Sequence, residues 1–390
     1  MIRKGRRLIK VGFIGLGNVG AKLAQSLLRN DVDLIVHDID IDKVKRFVDA
    51  GAGRCDAPVE MIQEVDVLIT CLPSPSISAS VMEGEQGALE GFSSGKVWLE
   101  MSTTDEAEVR RLGARVMQLG GSAADCPVSG GCHRAETGNI AILAGCERAT
   151  FEQVLPLLSI MGREILHTGP LGSASTLKVC TNYLATANLV SVCEALTVSK
   201  AAGIDLATAY QAIRISSGNS FVHETEGQVI LNGSRNINFT MDLVLKDLGL
   251  FQQIADRSGV DLDLSPLLLE IFRDGQARFG PREWSPNIIR RLEQATGLTV
   301  TAAGFPAEIV DDENWFTEGN FEPSPFEAGS GLPQLHDPVM SLVAYEAAVE
   351  QEIRRRMPLY LSGWVVAVGL IIGMLLLFFS GYVQVKGLIP

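Results

Sequence analysis

The amino-acid sequence predicts an α/β N-terminal domain followed by an all-α domain, an acidic linker and a C-terminal transmembrane helix. Three observations indicate this fold class. Short β-branched runs alternate with helical stretches up to about residue 168, strand-like runs then stop, and residues 359–383 form an almost unbroken apolar run without a charged side chain. A chain of 390 residues is long enough for two domains and an appendage.

The composition excludes several classes of protein. Apolar residues make up 46% of the chain and charged residues 20%, which argues against wholesale disorder. Because 46 Asp and Glu residues outnumber 33 Lys and Arg residues, we expect no nucleic-acid partner. The 7 cysteines form no closely spaced pairs and have no histidine partners at the spacing of a zinc site, so we expect neither a disulfide scaffold nor a metal.

The first domain is assigned to residues 1–168. Its strands are expected over residues 9–14, 33–37, 65–71 and 96–100, and its helices over residues 19–29, 41–50 and a stretch after Thr104. Strands that alternate with helices imply a parallel sheet covered on both faces.

The second domain is assigned to residues 169–299. Residues 173–202 contain neither Pro nor Gly and are apolar on most faces, which predicts a long, largely buried helix that ends at Gly203. Further helices are expected over residues 206–215, 243–258 and 264–279, with no convincing strand between them. This domain is therefore expected to be all α.

The remaining chain is divided into three segments. Residues 300–337 are rich in Gly, Pro and acidic side chains and indicate a flexible acidic linker, and residues 338–357 indicate a juxtamembrane helix. Residues 358–383 are predicted to be a transmembrane anchor, because the run is longer than a buried core helix needs. Three arginines precede the anchor and only Lys386 follows it, so the catalytic domains are expected to face the cytoplasm, with the lipid bilayer as a partner.

A glycine motif follows the first predicted strand and opens the next helix. Its residues are Gly15, Leu16, Gly17, Asn18, Val19 and Gly20. Glycines at this place allow a tight turn and let backbone N–H groups approach a pyrophosphate at the helix N-terminus. The motif predicts a Rossmann-type dinucleotide-binding domain.

Asp38 follows the second predicted strand, 23 residues after Gly15. A carboxylate at this spacing accepts hydrogen bonds from ribose hydroxyls and repels a 2′-phosphate. The neighbouring Ile39 and Asp40 supply no arginine, so NAD is favoured over NADP as the cofactor. The alternative is a solvated aspartate in a turn.

Lys178 is the best candidate for the group that moves the alcohol proton. It lies on the long apolar helix, and Asn182, four residues on, shares its face. Burial of an ammonium disfavours its charge and lowers its pKa towards a value useful for acid/base chemistry. The alternative is a Lys and Asn pair on a solvated stripe. Residues 129–131, Ser129, Gly130 and Gly131, form a turn whose hydroxyl and N–H groups suit a substrate carboxylate.

Four ordered motifs, at residues 15–20, 125–131, 169–182 and 246–250, resemble those of the β-hydroxyacid dehydrogenase family, and most closely its 3-hydroxyisobutyrate dehydrogenases. The resemblance covers about residues 8–310. It implies that Lys178 is the catalytic acid/base, that Asn182 orients the substrate and that residues 129–131 bind its carboxylate. It further implies dimers or tetramers formed through the helical domain. Residues implied to contact the cofactor besides the glycine turn and Asp38 are Leu72, Pro73, Thr103 and Lys246.

The sequence departs from the pattern of this family at three places. Thr181 precedes Asn182 where the family often has two asparagines, Glu100 replaces an Asp, and the pair 134–135 is Arg-Ala rather than Gly-Ala. These positions flank the expected substrate pocket. The identity of the substrate acid is therefore left open.

The predicted activity is the NAD-dependent oxidation of a small β-hydroxy acid to its semialdehyde, or the reverse reduction. One alternative is a tartronate-type semialdehyde reductase of the same superfamily. Another is a catalytically silent NAD-binding membrane scaffold, which would need Asp38 and the glycines but neither Lys178 nor Asn182.

Overall fold

The fold is taken from a computed structural model that describes residues 3–4 and 7–311. Within this part of the chain no helix combines the length and the apolar character that crossing a bilayer requires. The longest helix, Ser173–Ala201, has 29 residues but mixes polar with apolar side chains. This finding corrects the predicted localisation, and a membrane-anchored enzyme facing the cytoplasm is not retained. The segments on which that prediction depended, residues 338–357 and 358–383, lie outside the described residues.

One large sheet forms the centre of the N-terminal domain. Its strands are β1 Lys10–Ile14, β2 Asp33–His37, β3 Gly53–Arg54, β4 Val67–Thr70, β5 Val97–Glu100, β6 Ser122–Asp125, β7 Val128–Ser129, β8 Ile140–Gly145 and β9 Gly162–Gly169. The strand order is β9-β8-β6-β5-β4-β1-β2-β3, with β7 beside β8. Neighbouring strands are parallel from β3 at one edge through β2, β1, β4 and β5 to β6, as predicted. β8 runs antiparallel to β6 and β7. Two further strands of two residues each, Arg3–Lys4 and Arg7–Leu8, pair antiparallel with each other outside this sheet.

Helices cover both faces of the sheet. They are α1 Gly20–Arg29, α2 Ile41–Asp49, α3 Pro58–Glu64, α4 Pro75–Glu83, α5 Ala88–Gly91, α6 Glu106–Gln118, α7 Cys132–Thr137 and α8 Arg148–Met161. Along β1, Val11 and Phe13 pack into the core under α1 and α8, while Ile14 packs into the core on the other face with Met61 of α3. Strands buried on both faces explain why the strand-like runs are continuously apolar rather than alternating.

The C-terminal domain is helical, as predicted. Its elements are α9 Ser173–Ala201, α10 Leu206–Arg214, α11 Phe221–Glu224, α12 Glu226–Asn232, α13 Met241–Ser258, α14 Leu264–Phe279, a 3-10 helix Ser285–Ile289 and α15 Arg290–Thr296. Its core surrounds one face of α9, where Leu189 and Leu196 pack with Leu248 of α13 and Phe272 of α14. The opposite face of α9 is more open than predicted, because Leu184 is 58% and Val198 67% exposed.

Residues 300–311, assigned to a flexible linker from their composition, pack against the fold. The Val300 side chain is fully buried, and the Ala302 N–H donates to the Leu231 carbonyl over 2.8 Å. At the end of this segment the Asp311 carboxylate accepts hydrogen bonds from Thr137 and from Asn139 Nδ2, the latter over 2.7 Å. The chain thus returns from the helical domain to the N-terminal domain.

Candidate active site

The glycine turn between β1 and α1 has the geometry that a pyrophosphate requires. Gly15 has φ +102°, and a Cβ there would lie 2.3 Å from the Cys71 carbonyl oxygen. A Cβ on Gly20 would lie 2.1 Å from the Gly15 oxygen, so strand and helix approach too closely for any other residue. A Cβ on Gly17 would meet no atom within 4 Å. Gly17 and Asn18 are exposed at the start of α1, and this open cradle fits the phosphates of a dinucleotide.

Asp38 lies at the end of β2 with its carboxylate fixed in place. Its Oδ2 accepts a hydrogen bond from the Leu16 N–H over 2.5 Å, and its Oδ1 accepts from the Asp40 N–H over 2.9 Å. The carboxylate is therefore bound to the glycine turn itself. This arrangement fits a ribose that lies between Asp38 and the start of α1.

Leu72 and Pro73 follow β4 and are held by a buried carboxyl group. The Leu72 N–H donates to Ser102 Oγ over 2.7 Å, and Ser102 donates in turn from its hydroxyl and, over 2.9 Å, from its N–H to Glu100. Glu100 is 1% exposed; burial raises its pKa, and the hydrogen bonds from Ser102 oppose that shift. Glu100, noted as a departure from the family pattern, thus fixes the turn that carries Leu72.

Lys178 is buried on α9 and contacts Asn182. Its side chain is 6% exposed, and Nζ donates to Asn182 Oδ1 over 2.7 Å. Burial lowers the Lys178 pKa from 10.5 to about 8, although the charge of Asp247 opposes this shift. An amine with a pKa of about 8 can both accept and donate a proton near neutral pH.

Asp247 of α13 connects this pair to the N-terminal domain. Its Oδ2 accepts from Asn182 Nδ2 over 2.6 Å, and its Oδ1 lies 2.9 Å from Lys246 Nζ. Lys246 Nζ also donates to the Thr103 carbonyl oxygen over 2.6 Å. A continuous chain of polar contacts therefore runs from Lys178 through Asn182, Asp247 and Lys246 to Thr103.

Asp125 fixes the start of the helix that carries Lys178. This fully buried residue ends β6, and its carboxylate accepts from the Gly172 N–H over 2.7 Å and from the Ser175 N–H over 2.6 Å. Burial raises the pKa of Asp125, and the two amide groups oppose that shift. A carboxylate at a helix N-terminus is also stabilised by the helix dipole.

Ser129, Gly130 and Gly131 form the turn from β7 into α7. Gly130 has φ +120° and Gly131 has φ +90°, and residues with a Cβ atom rarely adopt such positive φ angles. Among residues 7–311, no hydrogen bond joins this loop to Lys178 or Asn182. The loop and the amine lie on different domains, and a bound substrate would have to bridge them.

The structure thus brings together Lys178, Asn182, Lys246 and Thr103, and separately the glycine turn with Asp38. Sequence reasoning assigned no role to Ser102, Asp125 or Asp247. Asp125 is the first residue of the motif at residues 125–131, and Asp247 directly follows Lys246. Proximity to a motif was therefore the available signal. Their partners lie 30 to 65 residues away in sequence, which spacing alone does not reveal.

Fold and site together define an NAD(P)-dependent oxidoreductase that acts on CH–OH groups. Residues 10–169 match the family described as the NAD binding domain of 6-phosphogluconate dehydrogenase. Residues 172–292 match the family described as NAD-binding of NADP-dependent 3-hydroxyisobutyrate dehydrogenase. The chain belongs to the β-hydroxyacid dehydrogenase family.

Two relatives and one solved structure illustrate the similarity. The 2-(hydroxymethyl)glutarate dehydrogenase of Eubacterium barkeri is 33% identical over 294 residues, which cover 75% of this chain and 98% of that protein. The mitochondrial 3-hydroxyisobutyrate dehydrogenase of Rattus norvegicus is 31% identical over 67% of this chain and 81% of its own. A structure of the Mycobacterium tuberculosis 3-hydroxyisobutyrate dehydrogenase with L-serine has a TM-score of 0.67 at 23% identity, covers 73% of this chain and 99% of that one, and supports the fold.

Proposed function

We propose that this enzyme oxidises a small β-hydroxy acid to its semialdehyde, or reduces that semialdehyde, with Lys178 as the acid/base. The observation that carries the proposal is the buried Lys178 amine, whose pKa is lowered to about 8 and whose Nζ lies 2.7 Å from Asn182 Oδ1. A catalytically silent scaffold has no need to bury an amine at this energetic cost.

In the oxidative direction, the neutral Lys178 amine takes the proton of the substrate hydroxyl while the hydroxyl carbon loses a hydride. NAD(P), when bound, supplies the acceptor for that hydride. In the reductive direction the protonated amine returns the proton to the aldehyde oxygen. Asn182 Oδ1 holds the Lys178 ammonium in place, and its amide orients the substrate.

The substrate carboxylate is assigned to the turn at residues 129–131. The Ser129 hydroxyl and the N–H groups of Gly130 and Gly131 are the donors that this loop offers. Two of the relatives support the substrate class, because the compounds in their names share the unit HOCH₂–CH(R)–COO⁻ and differ only in the group R. We propose that this chain takes an acid with the same unit.

NAD is the proposed cofactor in preference to NADP. The support is the Asp38 carboxylate, which is fixed by two backbone N–H groups and would repel a 2′-phosphate. Leu72, Pro73, Thr103 and Lys246 are proposed to line the nicotinamide half of the same site, since Leu72 and Thr103 follow neighbouring parallel strands β4 and β5.

The decisive experiment compares the full-length wild type with Lys178→Ala on a panel of small β-hydroxy acids with NAD and NADP. We expect turnover of at least one acid and a fall in kcat of about 10² or more on removing the amine. Lys200→Ala, which removes an exposed amine from the same helix, should leave kcat within about twofold. NAD binding by the wild type without turnover of any acid would favour a silent scaffold, and full activity of Lys178→Ala would end the assigned role of Lys178.

A further inference from the structure

We propose that Arg134 makes this enzyme selective for β-hydroxy acids that carry a second anionic group on the α-carbon. The inference rests on the proposed function and names the substrate class of the same site. Its geometric basis is the position of the two side chains, His133 and Arg134, that follow the loop at residues 129–131.

The side chains of His133 and Arg134 fold back over the two glycines. A Cβ on Gly131 would lie 2.8 Å from His133 Cε1, and a Cβ on Gly130 would lie 3.1 Å from Arg134 Cδ. The imidazole and the arginine stem therefore cover the loop at its α7 side. The guanidinium follows directly on the Cδ atom that contacts Gly130.

The base of Arg134 is fixed relative to the cofactor domain. Its helix, α7, is bound to α1 because Lys22 Nζ forms an ion pair with Glu136 over 2.5 Å and Arg29 Nη2 donates to the Glu136 carbonyl over 2.6 Å. The end of α7 is held by Asp311, which accepts a hydrogen bond from Thr137. α1 is the helix that begins at the glycine turn, so Arg134 has a set position beside the cofactor site.

The guanidinium of Arg134 extends to the helical domain, where it lies 5.0 Å from the centre of the Phe221 ring. Phe221 opens α11 and is 49% exposed. Stacking on an aromatic face leaves the edges of a guanidinium free to donate two parallel hydrogen bonds to a carboxylate. Arg134 therefore spans the loop and the helical domain with its donors still available.

Within residues 7–311, no carboxylate forms an ion pair with Arg134. Glu136 of the same helix pairs with Lys22, and Asp311 at the end of α7 binds Thr137 and Asn139. Burial lowers the pKa of His133 and the charge of Arg134 lowers it further, which favours the neutral form of this imidazole. Arg134 thus provides the one uncompensated positive charge over this loop in the described part of the chain.

An uncompensated guanidinium at a substrate loop favours an anionic ligand. The carboxylate that all β-hydroxy acids carry already has the Ser129 hydroxyl and the glycine N–H groups as donors. The Arg134 guanidinium is therefore available for a further acidic group borne by R in HOCH₂–CH(R)–COO⁻. Dicarboxylic acids with a short linker between α-carbon and second carboxylate meet this requirement.

The test uses the full-length enzyme with NAD and three acids HOCH₂–CH(R)–COO⁻. In these acids R is methyl, CH₂CH₂COO⁻ or the uncharged amide CH₂CH₂CONH₂, so the last two match in size and differ in charge. We expect the wild type to turn over the dicarboxylate with a kcat/KM at least about tenfold above that of the amide. Arg134→Gln should lower kcat/KM for the dicarboxylate by about 10- to 100-fold and for the methyl acid by no more than about threefold.

Two further variants separate charge recognition from packing. Arg134→Lys should recover part of the dicarboxylate preference, whereas Phe221→Leu, which removes the ring but keeps the guanidinium, should retain it. Equal kcat/KM of the wild type for dicarboxylate and amide would overturn the inference without any variant. An equal loss on all three acids in Arg134→Gln would also overturn it, since Arg134 would then hold the common carboxylate or the loop. Turnover of none of the acids by the wild type would overturn the proposed function itself, and this inference with it.

Discussion

Asp247 orients the amide of Asn182. Because Asn182 Nδ2 donates to Asp247 Oδ2 over 2.6 Å, the amide oxygen is turned towards Lys178 Nζ, 2.7 Å away. One carboxylate on α13 thereby decides which end of the Asn182 amide on α9 faces the Lys178 amine. The same carboxylate lies 2.9 Å from Lys246 Nζ. The charge of Asp247 therefore acts on Lys178, Asn182 and Lys246 together.

The pH dependence of activity should follow Lys178. Alcohol oxidation requires the neutral amine, so kcat/KM should rise with pH and level off above about 8, the lowered pKa of this group. Aldehyde reduction requires the ammonium and should show the opposite limb, with activity lost as pH rises through the same value. Initial rates in both directions between about pH 6 and 10 measure this. Two limbs of the same sign would contradict a shared acid/base.

Replacement of Asp247 by Asn should shift the pH dependence of alcohol oxidation to lower pH. The carboxylate raises the Lys178 pKa, so its loss lets burial depress the pKa further, and the oxidative profile should level off at a lower pH than in the wild type. We also expect kcat to fall about tenfold, because Asn182 loses a charged acceptor. Asp256→Asn, on the exposed side of the same helix, serves as the control. An unshifted profile with normal kcat would show that Asp247 acts only in packing.

Two glycines of the same turn should respond differently to alanine. A methyl group on Gly20 would meet the Gly15 oxygen at 2.1 Å, so Gly20→Ala should lower the free energy of unfolding by roughly 1–3 kcal/mol. A methyl on Gly17 meets no protein atom within 4 Å, so Gly17→Ala should unfold normally but bind NAD at least about tenfold more weakly. Thermal unfolding and calorimetric NAD titration separate the two effects. Unaltered NAD affinity in Gly17→Ala would place the phosphates elsewhere.

Cofactor preference should change in Asp38→Asn. Asn keeps an acceptor for the Leu16 N–H but removes the charge that repels a 2′-phosphate, so the ratio of kcat/KM for NADP over NAD should rise at least about tenfold. Asp40→Asn, which alters the cap of α2 instead, should leave the ratio unchanged. A constant ratio in both variants would mean that another group selects the cofactor.

Self-association is expected through the open face of α9. Seven exposed and uncharged side chains recur along this helix at alternating spacings of four and three, the pattern of paired helices, and the exposed Glu194 and Lys200 fall outside this series. The seven are Leu177, Thr181, Leu184, Asn188, Ser191, Ala195 and Val198. Leu184→Glu should shift the assembly to monomers in light scattering, because it buries an unpaired charge. Met117→Glu, at an exposed apolar position of α6, should leave the assembly unchanged. A monomeric wild type would contradict the expectation.

Much of the fold could be predicted because local signals agree with tertiary packing. β2 and α14 have the bounds that the sequence predicts, Asp33–His37 and Leu264–Phe279, since each is a distinct apolar run with clear ends. Within the N-terminal domain the sequence patterns predict neither the strands β3 and β6 to β9 nor the helices α3 to α5, α7 and α8. β7 has two residues, and α8 contains Pro156 in its interior, which weakens any helical signal.

The site was predictable where one motif holds both partners and not where distant segments meet. Lys178 and Asn182 are four residues apart on one helix, so their contact follows from helical geometry. Asp247 reaches Asn182 across 65 residues, and residues 300–311 pack through contacts that composition does not encode. Composition alone therefore suggested a linker where the chain in fact adheres to the domain.

The carboxylate of Asp125 has a consequence for how this scaffold diversifies. The Asp125 carboxylate accepts hydrogen bonds from the backbone N–H groups of both Gly172 and Ser175. These bonds fix the first turn of α9 against the end of β6. Lys178 lies three residues beyond Ser175, roughly 4.5 Å along the helix axis. The distance of Lys178 from the sheet is thus set by the contact of α9 with the end of β6. On the roles proposed for Arg134 and Lys178, changes in α7 would alter which acid is accepted and would leave the position of the Lys178 amine unchanged.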